Sequence, residues 1–433
     1  MNQTPLRVLM ISEHASPLAL SGGVDAGGQN VYVDSVAREL VRAGHTVDVL
    51  TRRDDTALPA VVEPVPRLRV HHLTAGPPRP VPKEALLPYM PAFTLAARQR
   101  LRGASPFDAI HANFFMSGLV GLSLRRPLHT PLVTTFHALG LVRRAHQGSA
   151  DAFPESRIAI ERDLVRFSDR VVAECPQERR DLIEAYGAEA RRIALVPCGV
   201  DLDLFRPGDR RAARARLGLP EDEFIVLQLG RLVPRKGVDN VVRAMALLPP
   251  EWPARLVVVG GDADAPSEVL TPEIGRLRRL AAECGVGARV QFAGRHGREA
   301  LRDWYVAADV FVTTPWYEPF GITPLEAMAC GTPVIGSAVG GIQYTVRDGV
   351  TGFLVPPRDP AALAQRLIEL HRRPALGRAL GAAGVARVRG HFTWERVAHE
   401  LASVYRGLHA PLRAPRGVSR PVAGAEDLAA VVS

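Results

Sequence analysis

The sequence predicts an α/β protein of two doubly wound, parallel-sheet domains that face each other across a cleft. Apolar strand-like runs alternate with helical patterns along the chain, and a Pro- and Arg-rich connector at 197–219 interrupts this rhythm once. A chain of 433 residues also exceeds what one ordinary core accommodates. Ligands of such sheets bind beyond the carboxyl ends of the strands, so we expect a site in the cleft.

The elements follow in order within each half. The predicted strands of the first half are 7–11, 46–50, 109–111 and 132–135, with a helix at about 30–43. Those of the second half are 224–229, 256–259, 290–292, 310–313 and 334–335. A final helix is predicted at 394–408, followed by a Pro- and Arg-rich tail that we expect to be disordered. The predicted units are an N-terminal domain at 1–205, a C-terminal domain at 206–393, a final helix at 394–410 and the tail at 411–433.

Composition excludes several classes of protein. No apolar run approaches the roughly 18 residues of a membrane span, so we expect a cytoplasmic protein, with peripheral membrane contact left open. The four cysteines lack metal-binding spacing, which predicts neither zinc nor disulfides. A net charge of +9 arises from scattered arginines without a stacking platform, which argues against nucleic acid. Only Lys83 and Lys236 are lysines, and each is a candidate for a role that needs a compact point charge, with chance as the alternative.

Two glutamates surround the start of a predicted helix within 315–335. Thr323 is expected to cap this helix and Pro324 to occupy its first turn. The unpaired amides at the helix start would attract a phosphate, with Glu318 near a polyhydroxylated substrate and Glu326 near a ribose. The alternative is that Glu326 is only the second member of a Thr-x-x-Glu capping box.

A glycine-rich segment, 21–30, follows the first strand. Its spacing fits neither a dinucleotide fingerprint nor a Walker loop, since Gln29 and Asn30 stand where Lys and Ser or Thr are required. The amides of Gly27 and Gly28 are candidates to meet a phosphate at the next helix start. A plain tight turn is the alternative.

Charged residues and histidines also follow predicted strands. Arg231 and Lys236 would flank a pyrophosphate, where each charge pair at ~4 Å is worth on the order of 4 kcal/mol before desolvation. A solvated basic loop is the alternative. His137 would face the cleft and bond a sugar hydroxyl, or be an ordinary buried histidine, whereas His111 is expected to be structural. No Asp-x-Asp lies at a strand end, so we predict that no divalent ion is required.

Together these segments resemble the family 4 retaining glycosyltransferases. The resemblance covers about residues 6–408, and its two glutamates separated by seven residues match the family signature. It implies the GT-B fold, with two Rossmann-like domains, the nucleotide sugar held mainly by the C-terminal one and the acceptor by the N-terminal one. It also implies that the last helix, 394–410, crosses back to the N-terminal domain. The segments that carry the resemblance are 27–33, 135–138, 230–237, 318–326, 331–335 and 339–341.

The resemblance implies a role for each matching residue. Arg231 and Lys236 would bind the diphosphate, Glu326 the ribose and Glu318 the sugar, while His137 would meet the sugar near its anomeric carbon. The implied reaction retains configuration by front-face attack and has no clear protein nucleophile, and the sequence offers no second cleft carboxylate. The implied catalytic residues are His137, Glu318, Arg231 and Lys236. The implied donor-binding residues are Gly27, Gly28, Arg231, Lys236, Arg295, Glu318, Phe320, Gly321, Ile322 and Glu326.

The implied acceptor site lies in the first half. The resemblance is strongest to sucrose synthases, sucrose-phosphate synthases and the inositol phosphate glycosyltransferases of the mycothiol pathway. In the last group the acceptor phosphate is held at positions that match Asn30, Lys83 and Arg157. Phe114 and Ala138 replace a tyrosine and a threonine there, and each lost hydroxyl bond to a charged group is worth roughly 1.5–3 kcal/mol. We therefore expect a different acceptor.

Three alternatives stay open at the level of sequence. A phosphorylase of the same architecture would need Lys236 to hold pyridoxal phosphate. A sugar-nucleotide epimerase shares the fold, and a noncatalytic binding module would need neither His137 nor an acceptor pocket. The glycosyltransferase hypothesis predicts no cofactor beyond the nucleotide sugar, and the family's usual carrier is uridine diphosphate. It predicts small-molecule or glycan acceptors as partners.

Overall fold

The computed structural model describes residues 4–19 and 27–408, so the predicted tail at 411–433 and most of the glycine-rich segment lie outside the described residues. Within that part of the chain, two largely parallel sheets confirm the predicted α/β class and its doubly wound order. The strands named from sequence are all present, with ends that differ by up to two residues. The predicted domain bounds themselves stay a prediction.

The first sheet has eight strands in the order β3-β4-β2-β1-β5-β6-β7-β8, and only β3 runs antiparallel to its neighbour. Strands β3, β4, β7 and β8 were not predicted, because they are short or carry polar residues and a proline. The elements of this half are β1 (Arg7–Ile11), α1 (Gly28–Arg42), β2 (Thr46–Arg52), β3 (Val61–Val65), β4 (Leu68–Leu73), α2 (Met90–Arg100), β5 (Ala109–Asn113), α3 (Phe115–Leu128), β6 (Leu132–Thr135), α4 (Gly140–Gln147), α5 (Ser156–Phe167), β7 (Arg170–Ala173), α6 (Pro176–Tyr186) and β8 (Ile193–Leu195).

The second sheet has six parallel strands in the order β11-β10-β9-β12-β13-β14, of which only the edge strand β14 was not predicted. The elements of this half are α7 (Arg210–Leu217), β9 (Phe224–Leu229), α8 (Val238–Met245), β10 (Ala254–Val259), α9 (Pro272–Glu283), β11 (Val290–Gly294), α10 (Arg298–Ala307), β12 (Val310–Thr313), α11 (Ile322–Ala329), β13 (Val334–Ser337), α12 (Ile342–Thr345), β14 (Gly352–Val355), α13 (Pro360–Arg372), α14 (Pro374–His391) and α15 (Trp394–Gly407).

The strand order reverses at β1/β5 in one sheet and at β9/β12 in the other. A crevice opens at the carboxyl end of each such point, where loops leave in opposite directions. Central strands of both sheets, such as β5 and β12, are buried on both faces, as parallel strands covered by helices are. The fold therefore places two ligand-binding edges in the cleft.

The last helix, α15, packs against α1 of the first half. Trp394 meets Tyr32 edge-on at 5.8 Å between ring centroids, and the Tyr405 hydroxyl lies 2.7 Å from Nδ1 of His111. His111 is fully buried and its other nitrogen lies 2.8 Å from the hydroxyl of Thr135. Burial lowers the pKa of His111 to about 3, so the ring is neutral and structural, as the sequence indicated. In residues 4–19 and 27–408, no helix has the length and apolar character of a membrane span.

Candidate active site

A cavity of about 580 Å³ occupies the cleft between the two sheets. Each predicted catalytic, donor-binding and acceptor-binding residue lines it, from Gly27 in the first half to Glu326 in the second. Both lysines of the chain, Lys83 and Lys236, belong to this lining. The fold thus brings the predicted residues to one place, while their individual roles stay predictions.

An ion pair forms the centre of the C-terminal wall. The Nζ atom of Lys236 donates to Oε2 of Glu318, and Arg235 lies 3.7 Å from the same oxygen. The two paired side chains are only 16% and 12% exposed. Burial lowers the pKa of Lys236, against the opposing effect of Glu318. Burial would raise the pKa of Glu318, but the combined effect of Lys236 and Arg235 is larger and holds it below its ordinary value.

Lys236 owes its position to a tight turn. It ends a single 3₁₀ turn after β9, and Gly237 then adopts a left-handed φ of 67° before α8 begins. A Cβ atom at Gly237 would lie 2.0 Å from the backbone oxygen of Thr314, so no larger residue fits. This close approach ties the loop after β9 to the loop after β12, which carries Glu318.

Helix α11 starts differently from the prediction. Its N-cap is Gly321, with φ 86°, and its first residue is Ile322, so the prediction that Thr323 caps the helix is wrong. Glycine takes this left-handed conformation without the steric penalty that other residues meet, and the turn therefore comes two residues early. The start of α11 lines the cavity, and the unpaired amides at a helix start attract anions.

Glu326 is not part of a capping box. It is the fifth residue of α11, and its carboxylate accepts a hydrogen bond of 2.8 Å from the Tyr305 hydroxyl. Its side chain is buried, and burial raises its pKa. The capping-box alternative is therefore wrong, because the Glu326 carboxylate bonds to Tyr305 of α10 and not to a backbone amide at the start of α11.

The start of α1 faces the start of α11 across the cleft. A Cβ atom on Gly28 would lie 3.5 Å from Cδ1 of Ile322. The Gly27 amide donates to Oδ1 of Asn30 at 3.0 Å, and Nδ2 of Asn30 donates to the Ser16 carbonyl. A phosphate at Gly27 would replace Asn30 as the acceptor, so the predicted roles of these two residues are coupled.

His137 leaves β6 in a left-handed conformation, with φ 57°. Its Nδ1 lies 2.9 Å from Oε1 of Glu174, and its Nε2 lies 3.1 Å from Oδ1 of Asn113. Glu174 lines the cavity and is 2% exposed, so the expectation of no second cleft carboxylate is wrong. Glu174 follows β7, a strand that the sequence analysis did not name. The available signal was a carboxylate directly after the apolar run Val171–Ala173.

Arg157 belongs to the N-terminal wall and is almost completely buried. Its Nε donates to Oε1 of Glu161 at 2.7 Å, and its Nη2 donates to the Ala138 carbonyl. Three aromatic rings surround the guanidinium with its carbon 4.5–5.0 Å from their centroids, those of Phe114, Phe115 and Phe153. Nη1 has no hydrogen-bond partner among the described residues. The aromatic rings hold the guanidinium in place, and its unpaired Nη1 amino group is suited to an anion that enters from the cavity.

The structure adds residues that the sequence did not indicate. Arg298, at the start of α10, lines the cavity, and its Nε and Nη2 atoms are buried without a hydrogen-bond partner in the described structure. Its charge opposes the upward pKa shift of Glu326. Arg143 lines the opposite wall and is held by Asp151 at 2.7 Å. Lys83 begins a 3₁₀ turn within the Pro-rich stretch 77–91. Within residues 4–19 and 27–408, no group of acidic, His and Cys residues is arranged to hold a metal ion.

Known proteins resemble the chain over nearly its whole length. Residues 26–204 match the model described as "Glycosyltransferase Family 4", and residues 209–386 match "Glycosyl transferases group 1". A D-inositol 3-phosphate glycosyltransferase from Catenulispora acidiphila is 42% identical over 93% of this chain and 96% of its own length. Another from Geodermatophilus obscurus is 41% identical over 93% and 89% of the two chains. Sucrose-phosphate synthase from Thermosynechococcus elongatus has a solved structure with a TM-score of 0.85 at 39% identity, covering 93% of this chain and 99% of that one.

The protein is a glycosyltransferase of the GT-B fold. It has two parallel-sheet domains with a cationic cleft between them, and its relatives are glycosyltransferases and a sucrose-phosphate synthase. The chain belongs to the family 4 glycosyltransferases, as its sequence motifs indicated.

Proposed function

We propose that this enzyme transfers a hexosyl unit, with retention of configuration, from a nucleotide diphosphate sugar carried on uridine to a small acceptor that bears a phosphate or another anionic group. The observation that carries the proposal is the presence of separate cationic groups on the two walls of one cavity. Lys236, Arg231 and Arg298 belong to the C-terminal wall, and Arg157 and Lys83 to the N-terminal wall. Two anions held apart across a cleft fit a diphosphate donor and an anionic acceptor.

The C-terminal wall suits the diphosphate. Lys236, Arg231 and the amides at the start of α11 supply positive charge where negative charge develops during transfer. In the proposed step the bond from the anomeric carbon to the diphosphate oxygen breaks. The acceptor oxygen forms the new bond on the same face of the sugar, and its proton passes to the departing diphosphate. In this proposal the two cationic side chains and the helix amides stabilise the charge of the departing diphosphate, and no divalent ion is needed.

The N-terminal wall suits a small anionic acceptor. The relatives with 41–42% identity are named D-inositol 3-phosphate glycosyltransferases, so a cyclitol phosphate is the first acceptor to test. Phe114 and Ala138 line the acceptor region without a side-chain hydroxyl. An anion held there loses up to two hydrogen bonds, each worth about 1.5–3 kcal/mol, relative to a site with hydroxyls at both positions. We therefore expect either weaker binding of a phosphate or an anionic acceptor of a different shape.

The test is a transfer assay with purified protein, uridine- and adenosine-linked hexoses, and a panel of phosphorylated and neutral sugars and cyclitols. We expect a disaccharide-type product from a uridine-linked donor and a phosphorylated acceptor, with proton NMR showing the donor's anomeric configuration. Activity should persist with a chelator present. Inversion, strict dependence on a divalent ion, or preference for neutral acceptors would each contradict the corresponding part of the proposal. An absorbance scan for pyridoxal phosphate tests the phosphorylase alternative.

A further inference from the structure

His137 is held in an uncommon conformation by its surroundings. A φ of 57° is sparsely populated for residues other than glycine and costs on the order of 1–3 kcal/mol. The side chain is 11% exposed, and the Tyr32 ring meets it edge-on at 4.8 Å between centroids. Such strain persists only where neighbouring groups enforce it, and it suggests that the orientation of the ring matters.

Both nitrogens of the His137 ring face hydrogen-bond acceptors. Nδ1 faces the Glu174 carboxylate, and Nε2 faces Oδ1 of Asn113. The Asn113 amide is oriented by its own nitrogen, which donates at 3.4 Å to the carbonyls of Ile11 and His111. Turning this amide over would set its oxygen against two carbonyl oxygens. Only a ring with a proton on each nitrogen satisfies both acceptors.

The hydrogen bonds of Glu174 suit it to be the charged partner of the His137 ring. Its Oε1 accepts hydrogen bonds from Nδ1 of His137 and, at 3.2 Å, from the Cys198 thiol. The nearby Glu178 accepts from the Glu174 backbone amide at 2.7 Å. Burial and the Glu174 charge raise the pKa of Glu178 well above its ordinary value, so Glu178 is the protonated member of the pair. Glu174 therefore carries the negative charge that faces His137.

We propose that Glu174 is a positioning residue for glycosyl transfer, which holds His137 as an imidazolium on the N-terminal wall of the cleft. The inference rests on the proposed function. Because Nδ1 is committed to Glu174, Nε2 is an N–H donor, with Asn113 as its partner in this structure and a sugar oxygen as its partner during transfer. A fixed positive ring opposite the diphosphate stabilises the charge that develops as the diphosphate leaves, without reorganisation during the reaction.

A second carboxylate–histidine pair in the same sheet provides a matched control. Asp48 is 2% exposed and lies 2.8 Å from Nε2 of His71. Nε of Arg100 donates to the other nitrogen of His71, Nδ1, at 2.8 Å, so that ring is held neutral with a single proton. Asp48 and His71 lie on β2 and β4, outside the cavity lining. Both pairs are buried carboxylate–histidine contacts, but Asp48 also pairs with Arg7 and Arg69 at 3.0 Å, and only the Glu174 pair has access to the cleft.

The first arm of the experiment is kinetic, with the full-length enzyme. Glu174→Gln keeps the shape of the side chain and removes its charge. We expect kcat to fall by about 10- to 100-fold, the range typical of residues that orient a functional group, with the donor KM changed by less than about 3-fold. Asp48→Asn should lower the melting temperature and leave kcat within about 2-fold of wild type. Equal kcat losses in both variants, or a wild-type kcat for Glu174→Gln, overturn the inference.

The second arm reads the ring directly by ¹⁵N NMR of histidine-labelled protein, with the His137 signals identified by their loss in His137→Asn. We expect both ring nitrogens of His137 to be protonated at neutral pH in wild type, and one to lose its proton in Glu174→Gln. An unprotonated ring nitrogen in an active wild-type enzyme overturns the positioning role alone and leaves the proposed function standing. A doubly protonated ring in an enzyme that transfers no glycosyl group instead overturns the proposed function and the role in transfer together. Because the wild-type measurement needs no variant, the inference stays testable if Glu174→Gln fails to fold.

Discussion

The C-terminal wall of the cleft takes its ion pair and helix start from two short stretches of chain, whereas the N-terminal wall collects single residues from many elements. On the C-terminal side, the loops at 230–237 and 316–326 supply the ion pair and the helix start. On the N-terminal side, Asn30, Lys83, His137, Arg157 and Glu174 come from separate loops and helices. The ion pair and helix start of the first wall are therefore local motifs, whereas the second wall forms only when separate elements of the eight-stranded sheet come together.

The two walls also differ in what holds their charges. Lys236 and Glu318 pair with each other at the surface of the cavity, so each charge remains available to a ligand. Arg157 is instead locked by Glu161, by a carbonyl and by an aromatic cage. A buried ion pair that loses one member leaves an uncompensated charge, which costs about 3–5 kcal/mol. We therefore expect substitutions in the locked Arg157–Glu161 pair to disturb the fold, and substitutions of Lys236 or Glu318 to disturb binding or turnover.

The largest effect is expected for Glu161→Gln, which would test that difference most directly. Glu161 accepts hydrogen bonds from Arg157, from the Tyr186 hydroxyl and from the Gly140 amide, and it is fully buried. Removing its charge leaves the Arg157 guanidinium buried without a counter-charge. We expect a loss of about 3–5 kcal/mol in the free energy of unfolding, measured by chemical denaturation. A loss below about 1 kcal/mol would show that the aromatic cage alone accommodates the cation.

Lys236→Ala is expected to have the next largest effect, on binding rather than on stability. The variant removes the charge nearest the proposed diphosphate and leaves the turn at Gly237 intact. A hydrogen bond to a charged group is worth about 1.5–3 kcal/mol, so affinity for a uridine diphosphate sugar should fall by about 10- to 100-fold in calorimetry. Lys236→Arg is the matched control that keeps the charge. An unchanged affinity for the alanine variant would remove Lys236 from the donor site.

Glu318→Gln should separate binding from turnover within the C-terminal wall. The substitution releases Lys236 from its carboxylate partner, so the diphosphate loses a competitor for the ammonium group. We expect affinity for uridine diphosphate to stay within about 3-fold of wild type, while kcat falls by about 10-fold or more because the sugar loses its acceptor. Parallel losses in nucleotide affinity and kcat would argue that Glu318 contacts the nucleotide rather than the sugar.

Glu326→Gln is a milder test on the same wall. Glutamine keeps an oxygen for the Tyr305 hydroxyl and has the same size, so stability should change little. If Glu326 accepts from a ribose hydroxyl, donor affinity should fall by about 10-fold, which corresponds to about 1.4 kcal/mol. As a control, Tyr305→Phe removes this internal hydrogen bond and keeps the Glu326 carboxylate. Similar affinities for wild type and Glu326→Gln would limit this residue to a structural role.

Lys83→Ala is expected to have the smallest effect and concerns the N-terminal wall. Lys83 is half-buried on a short turn that lines the cavity, so solvent partly screens its charge. We expect the KM for a phosphorylated acceptor to rise by about 5-fold, or about 1 kcal/mol, and the KM for neutral acceptors to stay constant. A preference of the wild type for neutral acceptors, together with no effect of the substitution, would contradict the anionic acceptor site.

The sequence by itself determined the fold class, the strands at the two switch points, and the local motifs of the C-terminal wall. These features depend on period and on short-range spacing, which is why the run at 224–229 and the following Arg231 and Lys236 could be placed from the chain alone. The same locality identified the family. Backbone geometry was predicted less well, since the cap of α11 is Gly321 and not Thr323.

Only the tertiary structure decided which partners the buried groups have. Glu174 and Arg298 reach the cavity because β7 and α10 are placed there by sheet order and helix packing, not by any spacing in the chain. The same holds for Glu326, whose partner Tyr305 lies on a different helix. Hydrogen bonds of buried polar groups are formed between elements far apart in sequence, and burial then sets the charge state of each group.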